Sequence, residues 1–223
     1  MDRRTFFALA TAWDVDGLRA ALEEKPVLAR TLDPTGMTAL HALARARGKH
    51  PKASIAAARL LLDAGADVNA VREIDDHGEV FRARPAWYAL AWGKNPSLAR
   101  FLFERGASPQ DCVWAVAYAQ DIELLALIAE RGADLDALFR GKTALLESVV
   151  GKRFDAVDAL LAHGADPNVP DPDGYTPLHH AIERGHPVER VKALLARGAR
   201  IDARARMLAR ERGTGPLLEL LGA

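Results

Sequence analysis

The chain has one cysteine, no excess of either charge and no long apolar run, and each absence excludes a class of protein. Cys112 alone cannot form an internal disulfide or a thiolate metal site, which suits a reducing compartment. Thirty basic residues balance thirty acidic ones, so no net charge attracts nucleic acid or an anionic membrane. No charge-free stretch exceeds about nine residues, whereas a membrane-spanning helix needs roughly twenty. We expect a cytoplasmic protein with neither nucleic acid nor membrane as its partner.

The composition is that of a folded chain. Of its 223 residues, 49% are apolar and 27% are charged, which is enough to bury a core. Arg3 and Arg4 precede an apolar run that faintly resembles a secretory signal, but Asp14 ends this run early. We therefore interpret the segment as the first structural helix.

A Gly-Ala pair recurs along the chain, each time after an apolar stretch with helical spacing. The pairs are Gly65-Ala66, Gly106-Ala107, Gly132-Ala133, Gly164-Ala165 and Gly198-Ala199. Their spacings are 41, 26, 32 and 34 residues. A short loop with alternating polar and apolar residues follows four of the five pairs, as in Ala165-Asp-Pro-Asn-Val169. The sequence thus predicts one helical unit repeated several times.

The fullest unit reads Asp171-Pro-Asp-Gly-Tyr-Thr-Pro-Leu-His-His-Ala181 and strongly resembles the ankyrin repeat. The segment from Asp33 to His41 matches nearly as well, residues 141–145 match in part, and residues 84–89 match only through Pro85 and Ala89. The resemblance covers roughly residues 3–221. It implies an all-α solenoid of stacked helix-turn-helix units joined by short β-turn fingers.

The roles of these residues can also be argued from physical chemistry, independently of the resemblance. Thr38, Thr143 and Thr176 can accept hydrogen bonds from the first amides of a helix, and Pro177 suits the first helical position. The recurring glycines can end helices in the left-handed conformation. A unit of about 33 residues cannot bury its own apolar stripe, so the units must stack.

We predict a single domain over residues 1–223, with a capping helix pair at 4–31, about five repeats over 32–203 and capping helices at 204–223. An enlarged finger is expected near 71–83, with Asp76-His-Gly78 as its turn. This insertion is interpreted either as a binding element or as a tolerated surface loop. The third repeat is short, so we expect Ser108 or Asp111 to begin its helix directly.

The resemblance also implies a binding surface made by the fingers and the exposed end of each first helix. The candidate protein-binding residues are Arg45, Phe81, Trp92, Tyr118, Lys142, Tyr175, Glu183 and Arg184, and Met37 is placed at a finger tip. Trp92 and Tyr118 have the composition of an interface centre, where Trp, Tyr and Arg are enriched. The alternative is that these aromatic side chains fill gaps beside the short third repeat, as we expect for Trp87 and Trp114.

Catalytic and metal sites are not expected. Cys112 lies at a helix start, where a buried structural thiol is the simpler interpretation. His179 and His180 are adjacent, so on a helix they point about 100° apart rather than toward one ion. His41 and His179 occupy the family's motif position, which implies a structural hydrogen bond. We predict no enzyme activity and no cofactor.

These features together predict a monomeric, non-enzymatic protein-protein interaction module of the adaptor or scaffold type, of bacterial character. One alternative is a toxin-neutralising, enzyme-inhibiting or accessory subunit that blocks a cognate protein, with the enlarged finger as its plug. Another is a secreted effector directed at a host.

Overall fold

The computed structural model describes residues 1–48, 51–76, 79–212 and 215–223, and helices predominate among them. Two compact units are formed, Met1–Ala115 and Val116–Ala223, and the boundary falls within one helix. We describe each unit by itself. The expectation of a single domain with caps at 4–31 and 204–223 stays a prediction.

The first unit consists of helix pairs whose first helices pack together and whose second helices form another layer. Its elements are α1 (Arg3–Ala12), α2 (Val15–Glu24), a 3-10 turn (Pro26–Arg30), α3 (Ala39–Arg45), α4 (Pro51–Asp63), β1 (Arg72–Asp76), β2 (Glu79–Ala83), α5 (Pro85–Ala91) and α6 (Pro96–Glu104). First helices α1, α3 and α5 are neighbours in that order, as are second helices α2, α4 and α6. Fully buried Leu40, Leu61 and Leu98 lie in this core.

The second unit repeats the arrangement. After α7 (Val113–Ala119), in which the boundary falls, the elements are α8 (Ile122–Glu130), α9 (Ala144–Val150), α10 (Phe154–Ala162), α11 (Pro177–Glu183), α12 (Val188–Ala196), α13 (Ala203–Arg212) and α14 (Gly215–Leu221). Helices α9, α11 and α13 pack side by side, and α8, α10, α12 and α14 form the second layer. The predicted all-α repeat architecture is confirmed.

The helix starts follow the predicted chemistry. The side chains of Thr38, Thr143 and Thr176 each accept a hydrogen bond from the amide three residues later, and Pro177 lies in the first turn of α11. In α3 and α11 the motif histidine completes a capping box, because its Nδ1 accepts from the threonine amide. These caps fix where each first helix begins.

The helix ends and the contacts between layers also follow the sequence. The five recurring Gly-Ala glycines have φ between +76° and +96°, the left-handed region that side chains disfavour. Ala39, Ala44, Ala89 and Ala181 are fully buried in the first helices. Small side chains at these positions allow neighbouring first helices to approach closely.

Asparagine side chains join one repeat to the next. Asn69 Nδ2 donates to the Gly106 carbonyl at 3.0 Å, and its Oδ1 accepts from the Ser108 amide at 2.6 Å. In the second unit, Asn168 makes the same two bonds with Gly198 and Arg200, at 3.0 and 2.9 Å. Each asparagine therefore satisfies backbone groups at the end of the following repeat's second helix.

The insertion after α4 forms a two-stranded antiparallel hairpin. Arg72 pairs with Ala83, and Asp76 pairs with Glu79, so β1 and β2 match over five residues. The strands occupy the range predicted for the enlarged finger. His77 and Gly78, the expected turn, lie outside the described residues.

The prediction for the start of α7 was wrong. The helix begins at Val113 rather than directly after Ser108 or Asp111. Asp111 instead accepts a hydrogen bond from the amide of Arg84 at 2.8 Å, at the start of α5. This acceptor is needed there because Trp87 stands where α3 and α11 have the capping histidine.

Candidate protein-binding surface

Arg45 and Trp92 form the aromatic centre of the first unit. Arg45 is the last residue of α3, and Trp92 directly follows α5, so stacking of these two first helices brings the side chains together. The Arg45 guanidinium lies 5.3 Å from the Trp92 ring centroid, a cation-π contact. The indole is 46% exposed. A large aromatic surface is thus held in place and remains open to solvent.

The backbone beneath this pair is packed closely. Arg47 Nε donates to the Trp92 carbonyl at 2.7 Å. At Gly93 a Cβ atom would lie 2.3 Å from the carbonyl oxygen of Ala44, so a side chain has no room there. These contacts fix the end of α5 against the end of α3. The same contacts therefore fix the backbone position of Trp92.

A groove lies beside Arg45, between α1 and the first finger. It has a volume of about 360 Å³, and its lining residues are Phe7, Ala8, Thr11, Asp33, Met37, Ala42, Arg45 and Ala46. A neighbouring hollow of about 480 Å³ shares Phe7 and Asp33 and adds Arg3 and Arg4. The lining of the groove is largely apolar, and its charged members are Asp33 and Arg45. A partner side chain with an apolar body fits this chemistry.

One expectation for this region was wrong and one residue was missed. Met37 is only 4% exposed and lies in the groove, so it is not a finger tip. Phe7 was not predicted as part of the surface. Its neighbour Phe6 is fully buried, and the two rings lie edge to face with centroids 6.4 Å apart. Adjacent aromatic residues on a helix cannot both face the core, which was the available signal.

In the second unit, Tyr118 is paired with Arg153. The guanidinium of Arg153 lies 4.3 Å from the tyrosine ring centroid, and the tyrosine is 50% exposed. Arg153 also donates to the Glu147 carbonyl at 3.2 Å, and Lys142 Nζ lies 3.9 Å from Glu147 Oε2. Lys142 and Tyr118 thus belong to one local network. Trp92 and Tyr118 lie in different units, and their acting as one centre stays a prediction.

Tyr175 belongs to a second network, on the last complete repeat. The Arg204 guanidinium lies 4.5 Å from its ring, and the His180 ring centroid lies 5.5 Å away. His180 Nε2 lies 2.8 Å from Asp171 Oδ2, and its Nδ1 lies 3.7 Å from Glu183 Oε2. The structure therefore brings Tyr175 and Glu183 together around His180.

The remaining predicted residues have simpler surroundings. Arg184 is exposed just after α11. Phe81 is half-buried on β2, with its ring centroid 4.8 Å from that of Trp87. Trp87 and Trp114 are half-buried rather than fully enclosed. Phe81 thus fixes the hairpin on α5 and offers only part of its ring to a partner.

The residues considered as possible catalytic or metal-binding groups make contacts typical of structural residues. Cys112 is fully buried, and burial followed by the neighbouring Asp111 carboxylate raises the pKa of its thiol far above the ordinary range. His179 accepts from the Thr176 amide and contacts Asp202 at 2.8 Å. Within the described ranges, no group of three His, Cys, Asp or Glu side chains is arranged for a metal ion. Among the described helices, none has the length and apolar character to cross a membrane.

Two family models match the chain. A model of three ankyrin repeats matches residues 113–205, and a single ankyrin repeat model matches residues 35–73. The crystal structure of an ankyrin repeat domain from Acinetobacter baumannii is 31% identical with a TM-score of 0.72. The likeness covers 89% of this chain and all of that domain.

Curated relatives are similar over shorter segments. An ankyrin repeat protein of fowlpox virus is 36% identical over 84 residues, which is 37% of this chain and 25% of the viral protein. The mitochondrial disaggregase of Bos taurus is 34% identical over 137 residues, 55% of this chain and 19% of that protein. The chain thus spans a quarter or less of these two proteins. From the capped repeats and the likeness to a whole solved domain, the chain belongs to the ankyrin repeat family, whose repeats are a general protein-protein interaction module.

Proposed function

We propose that this chain is a non-enzymatic adaptor or scaffold that binds another protein through the exposed ends of its first helices and its fingers. The observation that carries the proposal is Trp92, 46% exposed and held under the Arg45 guanidinium beside an apolar groove. Tryptophan and arginine are the residue types enriched at the energetic centres of interfaces. We expect the chain to act as a monomer in the cytoplasm.

Preorganisation explains how such a surface would bind. Ordering a long side chain on binding costs roughly 0.5–1.5 kcal/mol. Trp92 and Tyr118 are already held by Arg45 and Arg153, so little of this cost remains. The partner is expected to place an apolar side chain in the groove near Phe7 and carboxylates near Arg45.

A blocking role is a second candidate, favoured by the hairpin. Residues 72–76 and 79–83 form a two-stranded antiparallel finger, and Val80 on it is 66% exposed. A finger of this kind can enter the cleft of another protein. In this role the chain is a toxin-neutralising, enzyme-inhibiting or accessory subunit, and partner binding then requires the hairpin as well as Trp92.

The test uses the purified chain to capture its partner and then measures affinity for that partner with single variants. Trp92→Ala and Tyr118→Ala are each expected to weaken binding by about 2 kcal/mol, roughly thirtyfold, while circular dichroism shows an unchanged fold. Val27→Ala is the control, because Val27 is 57% exposed outside the predicted surface. Unchanged affinity in both aromatic variants rejects this surface.

A further inference from the structure

The β1–β2 hairpin has one side fixed and one side open. Arg72 at the start of β1 donates from its guanidinium to the Tyr88 hydroxyl at 2.7 Å and to the Thr35 carbonyl at 3.2 Å. The Phe81 ring packs against Trp87 at a tilted angle, with the ring centroids 4.8 Å apart. The hairpin is thus held on α5, and the base of β1 lies against the preceding finger.

The outer edge of β2 has no strand beside it in the described part of the chain. The sheet there contains β1 and β2 only. The following loop, residues 105–112, contains no strand that could form a third finger next to β2, because the third repeat is short. In an antiparallel ladder, alternate amides and carbonyls of an outer strand point away from its partner. Such an edge is a template for another strand.

Val80 and Arg82 on this edge are accessible, whereas Ala83 at the end of β2 is fully buried and its carbonyl contacts His41 Nε2. Val80 is 66% exposed, and it lies opposite Asp75 in the register. The Arg82 and Glu73 side chains are 69% and 61% exposed, and they pair with each other at 3.3 Å. A strand added at β2 can therefore reach the main chain and contact Val80 without displacing any core residue.

The charge of the hairpin indicates which kind of strand can be added at its edge. Residues 72–83 include four acidic side chains and two arginines, a net charge of −2 with histidine neutral. Both arginines already have partners, Arg72 with Tyr88 and Arg82 with Glu73. A second copy of the hairpin carries the same negative charge and is repelled. A segment rich in lysine or arginine is attracted.

We propose that the outer edge of β2, over residues 79–82, binds an extended basic segment of another protein as a third strand of the sheet. Main-chain hydrogen bonds supply the binding, and the acidic hairpin selects basic side chains. This site goes beyond the surface proposed above, because it uses the main chain of the hairpin rather than Trp92 and Tyr118.

Three synthetic peptides, added to the full-length chain, separate strand addition from charge attraction. One has four valine-lysine repeats, the second replaces each valine by proline, and the third replaces each lysine by glutamate. We expect only the first to bind and to slow amide hydrogen exchange within residues 79–82, since proline cannot donate to a ladder. Equal binding of the two lysine peptides, or unchanged exchange in β2, overturns the proposal.

Two variants complete the test with the valine-lysine peptide. Val80→Lys places a positive charge on the edge and is expected to weaken peptide binding about tenfold, whereas Val27→Lys, at an exposed position outside the hairpin, leaves it unchanged. Trp92→Ala is also expected to leave it unchanged, so loss of the first surface and loss of this one are distinguishable. If sedimentation shows a dimer of the chain that Val80→Lys dissociates, a second copy occupies the edge and the proposal is wrong.

Discussion

Asp111 Oδ2 lies 2.8 Å from the backbone nitrogen of Arg84 and replaces the histidine that the second repeat lacks. In the first and last complete repeats, the Nδ1 atoms of His41 and His179 accept from the corresponding amides of Thr38 and Thr176. The second repeat has Trp87 at this position. The next repeat therefore supplies the acceptor, and its carboxylate also lies 3.4 Å from the Arg84 guanidinium.

Asp111→Ala is expected to lower the free energy of unfolding by about 1–3 kcal/mol, because the Arg84 amide loses its acceptor. Asp111→Asn keeps an acceptor oxygen and removes a carboxylate whose pKa is raised by burial, so its stability stays within about 1 kcal/mol of the wild type. Urea denaturation of both variants measures the difference. Equal loss in the two variants contradicts the proposed role.

Asp136→Asn is expected to stabilise the chain by about 1 kcal/mol. Asp136 stands where two other repeats have Asn69 and Asn168, but a carboxylate cannot donate to a glycine carbonyl. Burial, with repulsion from Asp166 and Asp134, raises the pKa of Asp136 despite the hydrogen bond from the Asp166 amide.

The matched variant is Asn168→Asp, which removes the donor to Gly198 and is expected to cost about 1 kcal/mol. Thermal or urea unfolding of both variants measures the two changes in the free energy of unfolding. A destabilised Asp136→Asn chain refutes the interpretation that the asparagine is the better residue at this position.

His41 is expected to make the fold sensitive to acid well above the pH at which carboxylates titrate. Burial lowers the pKa of His41 from 6.5 to about 4, and its Nδ1 accepts from Thr38 while its Nε2 contacts the Ala83 carbonyl. The unfolded chain therefore takes up a proton first as the pH falls. The stability from this group is complete above pH 6.5 and is lost between 6.5 and about 4.

The loss over this range is about 3 kcal/mol by the linkage of pKa to stability. Unfolding free energies at pH 7, 5 and 4 for the wild type and His41→Gln measure it, and the variant is expected to be less stable at pH 7 but less sensitive to acid. An NMR titration of the His41 ring gives an independent check. A ring that titrates near 6.5 in the folded chain excludes this origin of the pH dependence.

Gly198→Ala is expected to lower the free energy of unfolding by roughly 1–2 kcal/mol. Beyond the chain neighbours of Gly198, a Cβ atom there meets no atom within 4 Å, but Gly198 has φ of +93°, the left-handed region that side chains disfavour. Backbone strain rather than a steric clash is therefore the expected cost. Thermal unfolding of the variant and the wild type measures it, and an unchanged melting temperature contradicts it.

Features determined by neighbouring residues could be predicted from the sequence. Thr38 and Thr176 cap helices through amides three residues away, and Gly198 ends a helix by its own conformation. Such interactions depend only on a few adjacent residues. They were therefore enough to predict the order of the helices and the location of the inserted finger.

Contacts between repeats could not be predicted in the same way. Asn69 reaches Ser108 and Asp111 reaches Arg84, pairs separated by 39 and 27 residues, and the choice of partner depends on how the repeats are stacked. Arg153 over Tyr118 likewise depends on a side-chain geometry that composition does not contain. The exposure of Trp92 was expected from its position in the repeat, but the cation-π contact between its ring and the Arg45 guanidinium was not.

The asparagine links have a direction along the chain, and this bears on synthesis. Asn69 precedes Gly106, and Asn168 precedes Gly198, so the side chain that closes a helix end is made before that end exists. On the ribosome, Asn69 and Asn168 emerge before the helix ends that they bind. As synthesis proceeds from the amino terminus, these two helix ends can therefore be hydrogen-bonded one after the other.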